Sequence, residues 1–393
     1  MKDVSVSDDI IYIGADDKEL ELFENQYNVP NGVSYNSYLI HDEKIAILDT
    51  IDKRKTEEWI NNLENSLKGK KPDYLIISHM EPDHSYNINY IVKKYPDIKL
   101  VGNAKTFALL PQFFNLGDID QRKIEVKDGD ILNLGKHKLQ FIIAPMVHWP
   151  EVMMEYELTE NILFSADAFG KFGTLDTNED WDCEARRYYF NIIGKYGLQV
   201  QSLLKKVKNY DINMICPLHG PILKENLNHY LDKYDIWSSY KTESEGIYIA
   251  CASLHGNTYN ACEKLKEILE EKGVEKVVLV DLSKEDFAEA VEDSFRYGKI
   301  VFASSTYNME IFTPMRNLLL NLKEKNYQNK TVALIENGTW APNAAKCMRE
   351  ILETMKNINI IEPFITIRST TSNENLLQLS EMADILIKSG KEE

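Results

Sequence analysis

Paired cysteines are missing from this chain. Its five cysteines, Cys183, Cys216, Cys251, Cys262 and Cys347, form no C-x-x-C pair and are odd in number. Such a set is expected as reduced thiols in a cytosol rather than as a disulfide framework. Positive charge is also short: 45 Lys and Arg stand against 62 Asp and Glu, leaving a net charge of −17. A nucleic-acid backbone or an anionic membrane surface would repel such a chain, so neither is an expected partner. No apolar run approaches membrane-spanning length, and Met1-Lys2-Asp3-Val4-Ser5 lacks a signal-peptide core. The expectation is a soluble, cytoplasmic protein. Internal repeats, low-complexity tracts and the G-x-G-x-x-G pyrophosphate fingerprint are absent as well.

What the chain does have is a concentration of metal-ligating side chains. His79-Met80-Glu81-Pro82-Asp83-His84 packs four potential ligands into six residues, directly after the apolar run Tyr74-Leu75-Ile76-Ile77. A strand tip followed by a tight loop aims alternate side chains at one point, so His79, Glu81 and Asp83 converge while His84 approaches from the adjoining turn. Later apolar runs end the same way. Phe141 to Val147 leads into His148, Asn161 to Ala166 into Asp167, and Met214 to Leu218 into His219. A lone histidine after a strand is as often a satisfied polar residue as a ligand, but four strand-end groups in succession resemble the metallo-β-lactamase fold. That fold is an αββα sandwich with a dinuclear site along one edge.

The hydrolases of that superfamily carry His-x-His-x-Asp-His with zinc. Here Glu81 stands in place of the second histidine, giving four imidazoles and three carboxylates. Carboxylates favour harder cations and iron accepts imidazole, so the mixed set resembles a non-haem di-iron centre.

From Gly246 onward the pattern changes to short buried strands alternating with amphipathic helices. Ile247 to Ala252, Val277 to Asp281, Ile300 to Ser304, Val332 to Glu336 and Ile358 to Ile367 read as five strands of a doubly wound parallel sheet. Ligands bind beyond the carboxyl ends of such strands. The loop after the first strand holds Ser253, His255, Gly256, Asn257 and Thr258 at a helix start, the logic of a phosphate cradle. After the third strand come Ser304, Ser305, Thr306, Tyr307 and Asn308, and after the fourth Asn337, Gly338, Thr339 and Trp340. Tyr307 and Trp340 are placed to flank a planar ring system. The three loops resemble flavodoxin, whose cofactor is FMN, with His255 departing from the usual small hydroxyl residue. A chain of 393 residues holds two full cores, and the boundary is expected in the polar stretch Lys241 to Glu245, giving domains 1–245 and 246–393.

The two halves in this order resemble the flavodiiron proteins, also called A-type flavoproteins. The likeness extends through Ser34-Tyr35-Asn36-Ser37-Tyr38, His148-Trp149-Pro150 and Arg187-Tyr188-Tyr189. It implies that His79, Glu81 and His148 bind one iron, that Asp83, His84 and His219 bind the other, and that Asp167 bridges them. It further implies reduction of dioxygen to water, of nitric oxide to nitrous oxide, or both, with electrons relayed through FMN. With no paired cysteines, no fused rubredoxin module is expected. Electrons then come from an external donor such as rubredoxin or a reduced-flavin or deazaflavin system. The family's head-to-tail pairing implies a homodimer or a dimer of dimers, with the flavin of one chain against the irons of the other. Two other readings are a metallo-β-lactamase-type hydrolase with a flavodoxin-like appendage and a non-catalytic electron carrier. His41, His137 and His229 lie among polar neighbours and are expected at the surface.

Overall fold

Short apolar runs bounded by turn residues become the strands of the first half. Tyr38–Ile40, Ala46–Leu48 and Ile162–Phe164 are buried at every position, the pattern of strands covered on both faces. The computed structural model describes residues 6–389. Their contacts form two units, 6–189 with Tyr196–Asp235, and Phe190–Lys195 with 236–389.

The first unit contains a six-stranded sheet in the order Ile10–Tyr12, Tyr38–Ile40, Ala46–Leu48, Tyr74–Ile76, Lys99–Gly102, Lys123–Glu125. A five-stranded sheet follows, in the order Ile131–Asn133, Lys138–Ile143, Met153–Glu157, Ile162–Phe164, Met214–Cys216. Ile40, Leu48, Ile76 and Val101 of the first meet Phe141, Met153, Phe164 and Cys216 of the second in one buried cluster, which is the core of a sandwich. Helix Thr56–Leu67 buries Trp59, Leu63 and Leu67, and helix Gly197–Val207 buries Val200, Leu203, Leu204 and Val207. Those spacings are the apolar stripe of an amphipathic helix, and each fully buried side chain of this kind contributes about 1.5–3 kcal/mol. Lys138–Ile143, Ile162–Phe164 and Met214–Cys216 run in one direction. The residues that follow them, His148, Asp167 and His219, therefore emerge at one edge.

The second unit is a parallel sheet in the order Val277–Asp281, Ser244–Ala252, Tyr297–Tyr307, Gln328–Asn337, the strand order of the flavodoxin-like doubly wound fold. Helices Asn257–Glu271 and Asn373–Lys388 cover one face through Ala261, Leu265, Leu379 and Leu386. The fifth strand differs from expectation, because it is broken into Lys356–Ile360 and Ile365–Ile367. Val332 pairs with Ile360 and Ile335 with Ile365, so this segment carries more residues than the register accepts. The surplus loops out around Pro363, which has no N–H to donate.

His137 also differs. It is fully buried, with Nδ1 3.1 Å from Glu157 and Nε2 3.4 Å from Asp9. These two carboxylates, remote in sequence, supply its polar partners in place of solvent. Glu157, outweighing burial, raises the imidazole pKa above its ordinary value. His41 and His229 are partly exposed, the latter bonded to Asp182 at 2.6 Å.

Candidate functional site

The loop after Tyr74–Ile76 owes its shape to local chemistry. Met80 is buried on one side of the extended segment while His79 and Glu81, two apart, share the other. Pro82 occupies the first turn of the short helix Pro82–Ser85, where its missing N–H costs nothing. Glu81 is the N-cap of that helix but makes no side-chain cap bond, so its carboxylate is left to serve elsewhere. Behind the loop, the Asp49 carboxylate accepts from the Ser78 and His79 N–H groups at 2.8 and 3.3 Å.

All seven expected ligand residues come together, in two clusters: His79, Glu81, His148 and Asp167, and Asp83, His84 and His219. Asp167 connects them. Its Oδ2 lies 3.2 Å from His79 Nε2 and 3.1 Å from His148 Nε2, while its Oδ1 lies 3.3 Å from His84 Nε2 and 3.8 Å from His219 Nε2. The Nε2 atoms of His84 and His219 approach to 3.1 Å, about the separation of two nitrogens bound at right angles to one ion at roughly 2.1 Å.

Two residues that sequence reasoning missed orient the rings. Glu151 Oε1 accepts from His79 Nδ1 and from the Met80 N–H, both at 2.8 Å, and the Ser34 carbonyl accepts from His219 Nδ1 at 2.7 Å. Each bond leaves Nε2 free for the cluster, the supporting arrangement typical of metal-bound histidine. Position three after His148 was the only hint of Glu151.

The residues fit a pair of cations. Both oxygens of Asp83 and both of Asp167 are buried without a hydrogen-bond donor, a costly state unless a positive charge sits among them. The titration behaviour says the same. Burial works against charge on His148, yet Asp167 and Glu81 raise it to about 9, and Asp167 with its companions raises His79 as well. Burial would lift the Asp167 carboxyl, but His79, His148 and His84 hold it well below the ordinary range. The carboxylates thus demand positive charge that metal ions would otherwise supply. Three carboxylates among four imidazoles suit iron better than an all-nitrogen site would. Aromatic edges close round the cluster: Phe23 and Tyr188 lie 5.4 and 5.7 Å from the His219 ring, and Trp149 5.3 Å from His79.

In the second unit a cavity of about 360 Å³ opens at the carboxyl ends of the strands. Of the expected cofactor residues, Ser253, His255, Asn257, Thr258, Ser305, Thr306, Asn308, Asn337, Gly338, Thr339 and Trp340 line it. Gly256, Ser304 and Tyr307 do not. Gly256 is instead the left-handed N-cap of helix Asn257–Glu271, at φ 89°, and leaves the first-turn N–H groups without a side-chain cap. Ser304 is buried, with its hydroxyl donating to the Ser305 carbonyl. Tyr307 turns to Phe312, ring centroids 5.9 Å apart, because the strand continues into a hairpin with Glu310–Ile311. Leu254, Met309, Ala341 and Ser369 line the cavity unforeseen. Ser369 arrives from beyond the last strand, clasped by Asn337 through two 3.0 Å bonds. At Gly338 a Cβ would meet Pro342 Cα at 2.8 Å. An uncapped helix start beside a cavity edged by hydroxyls and one exposed indole suits a phosphorylated planar ligand.

Fold and site together define a metallo-β-lactamase-like metalloprotein joined to a flavodoxin-like unit. Residues 33–220 match the ODP family beta lactamase model. The chain is 28% identical to a nitric oxide reductase of Moorella thermoacetica over 96% of either chain. A flavoprotein structure from Thermotoga maritima matches at TM-score 0.87 and 26% identity, covering 96% of this chain and 95% of that one. The rubredoxin oxygen:oxidoreductase of Desulfovibrio gigas shares the fold at TM-score 0.89 and 23% identity over 97% of both. Over nearly its whole length the chain is thus similar to flavodiiron proteins, and it is an oxidoreductase. Among the described residues no helix is long and apolar enough to cross a membrane.

Proposed function

We propose that this oxidoreductase reduces dioxygen to water, nitric oxide to nitrous oxide, or both, at a di-iron site formed by His79, Glu81, His148, Asp83, His84 and His219 with Asp167 as the bridge. Electrons pass through FMN held by the loops after the strands of the second domain, 246–393, the di-iron domain being 1–245. They come from an external donor such as rubredoxin or a reduced-flavin or deazaflavin system, and the working form is a head-to-tail homodimer. The observation that carries this reading is the position of Asp167, one oxygen facing each cluster at 3.1–3.8 Å. The names of similar proteins, a nitric oxide reductase and a rubredoxin oxygen:oxidoreductase, support it.

The chain's own residues perform definite tasks. Glu151 and the Ser34 carbonyl hold two imidazoles in the tautomer that presents Nε2. The rings of Phe23, Tyr188 and Trp149 wall the cluster with apolar surface. Glu24 stands at the edge of the cluster, its carboxyl pushed up to about 7 by partial desolvation and by the charge on Glu81. Iron ions held at the two clusters would supply the redox chemistry, and a flavin held in the cavity of the second unit would resupply electrons.

Iron content, visible spectrum and parallel anaerobic turnover of the reduced protein with dioxygen and nitric oxide test the reading. Iron, flavin absorbance and consumption of at least one gas are expected. Stoichiometric zinc with hydrolase activity would instead establish the hydrolase, and flavin alone the electron carrier.

A further inference from the structure

Behind the loop of His79 lie two buried glutamates with opposite surroundings. Glu151 accepts from His79 Nδ1 and the Met80 N–H, and despite burial these donors hold its carboxyl below the ordinary range. Glu155 is on the central strand Met153–Glu157 and only 1% exposed. Its neighbours across the sheet are Phe141 and Phe164. Among the described residues its side chain bonds to Ser78 alone, whose hydroxyl oxygen lies 3.2 and 3.1 Å from Oε1 and Oε2. The charged group that faces it is another acid, Asp49, just beyond strand Ala46–Leu48. Burial and the Asp49 charge push the Glu155 carboxyl well above its ordinary range.

A count of hydrogens shows how this arrangement is satisfied. Ser78 has one hydroxyl hydrogen, and two acids claim it, Glu155 and Asp49. Were both ionised, the acid left without that hydrogen would be a buried anion with no side-chain donor, a costly state. Asp49 accepts from the Ser78 and His79 N–H groups at 2.8 and 3.3 Å, bonds that favour its charged form. Glu155 has no such support, so a proton placed there resolves the conflict. Its O–H then donates to Ser78 Oγ, and the Ser78 hydroxyl donates to Asp49. We infer that Glu155 is un-ionised at neutral pH and acts as a positioning residue, holding Ser78 and with it the strand tip that carries His79, without placing a further negative charge behind the metal cluster. The same strand grips that tip through its backbone, since the Met153 N–H donates to the Ser78 carbonyl at 3.1 Å. Two glutamates four positions apart thus take opposite protonation states from their surroundings, one orienting a ligand by charge and the other by a neutral bond. The role at the cluster rests on the metal reading above; the proton assignment does not.

The test compares full-length wild type, Glu155→Gln and Glu155→Leu. At neutral pH the infrared difference spectrum of wild type minus Glu155→Gln should show the carbonyl band of one un-ionised carboxyl, shifted down in heavy water. The folded chain keeps a proton that the unfolded chain releases above about pH 4.3. The unfolding constant of wild type should therefore rise relative to that of Glu155→Gln by up to about tenfold per pH unit above that point. Iron affinity, from chelator competition, should stay within about twofold in Glu155→Gln, whose amide can donate to Ser78 Oγ, and should weaken about tenfold in Glu155→Leu. Carboxylate bands in place of the carbonyl band overturn the inference. So does a Gln variant as weak in iron binding as the Leu variant, because the charge would then be what matters, or a Leu variant that binds iron like wild type. A wild type that shows the carbonyl band but binds no iron would refute the metal reading and the positioning role with it, while the proton assignment stands.

Discussion

Replacing Glu151 tests whether the architecture around the irons is what the geometry says. Its Oε1 is the sole acceptor for two donors, His79 Nδ1 and the Met80 N–H, each at 2.8 Å, and all three residues are fully buried. His79 holds the Glu151 carboxyl below its ordinary range despite burial, so the bond is charge-assisted. In Glu151→Leu both donors are orphaned, and the ring of His79 is released to turn or to change tautomer. A charge-assisted bond is worth about 1.5–3 kcal/mol, and loss of a carboxylate that supports a metal-bound histidine costs about 10–100-fold in metal affinity, which agree in size. Iron affinity, measured by competition with a chromophoric chelator under anaerobic conditions, should fall by that factor. Glu151→Gln keeps an acceptor oxygen but not the charge, so it should fall by about tenfold or less. Flavin binding, in a separate unit, should not move. A folded Glu151→Leu protein whose iron affinity stays within about twofold of wild type would refute the reasoning.

Asp167→Ala should abolish gas reduction while leaving the flavin spectrum unchanged, and turnover near the wild-type rate would overturn the bridging role. Lys330 is buried, and burial pulls its amine down to about 7, although the carbonyls of Phe295 and Tyr297 accept from it at 2.6 and 2.8 Å and favour the charge. The unfolded chain, with a lysine pKa of about 10.4, binds the proton more tightly, so stability rises with pH between about 7 and 10, by about 4 kcal/mol. Lys330→Met should lack that rise in urea unfolding, and parallel pH slopes would dismiss the effect. Co-refolding Asp167→Ala with a variant altered at Thr258, Asn308 and Gly338 to lose FMN should restore about a quarter of wild-type activity if electrons cross between chains of a dimer. Confirmed mixed dimers without activity would place the transfer within one chain.

By itself the sequence determined the two kinds of sheet and the candidate ligands in chain order. An apolar run ending in His79, His148, Asp167 or His219 carries its meaning locally, since a strand's length and the residue at its tip are set within a few positions. Glycine and hydroxyl residues after the strands of the second half announced the cavity for the same reason. Only the tertiary structure decided which distant groups would meet. Glu151 lies 72 residues from the histidine it supports, and Ser34 lies 185 from His219. Ser369 lines a cavity whose other walls are the loops after earlier strands, and Tyr307 leaves it because its strand runs on into a hairpin. His137 is buried because Asp9 and Glu157 come to it from remote segments. Periodicity reports which face of an element is covered, but the partner that satisfies a buried polar group depends on how the elements are assembled, and no local pattern encodes that.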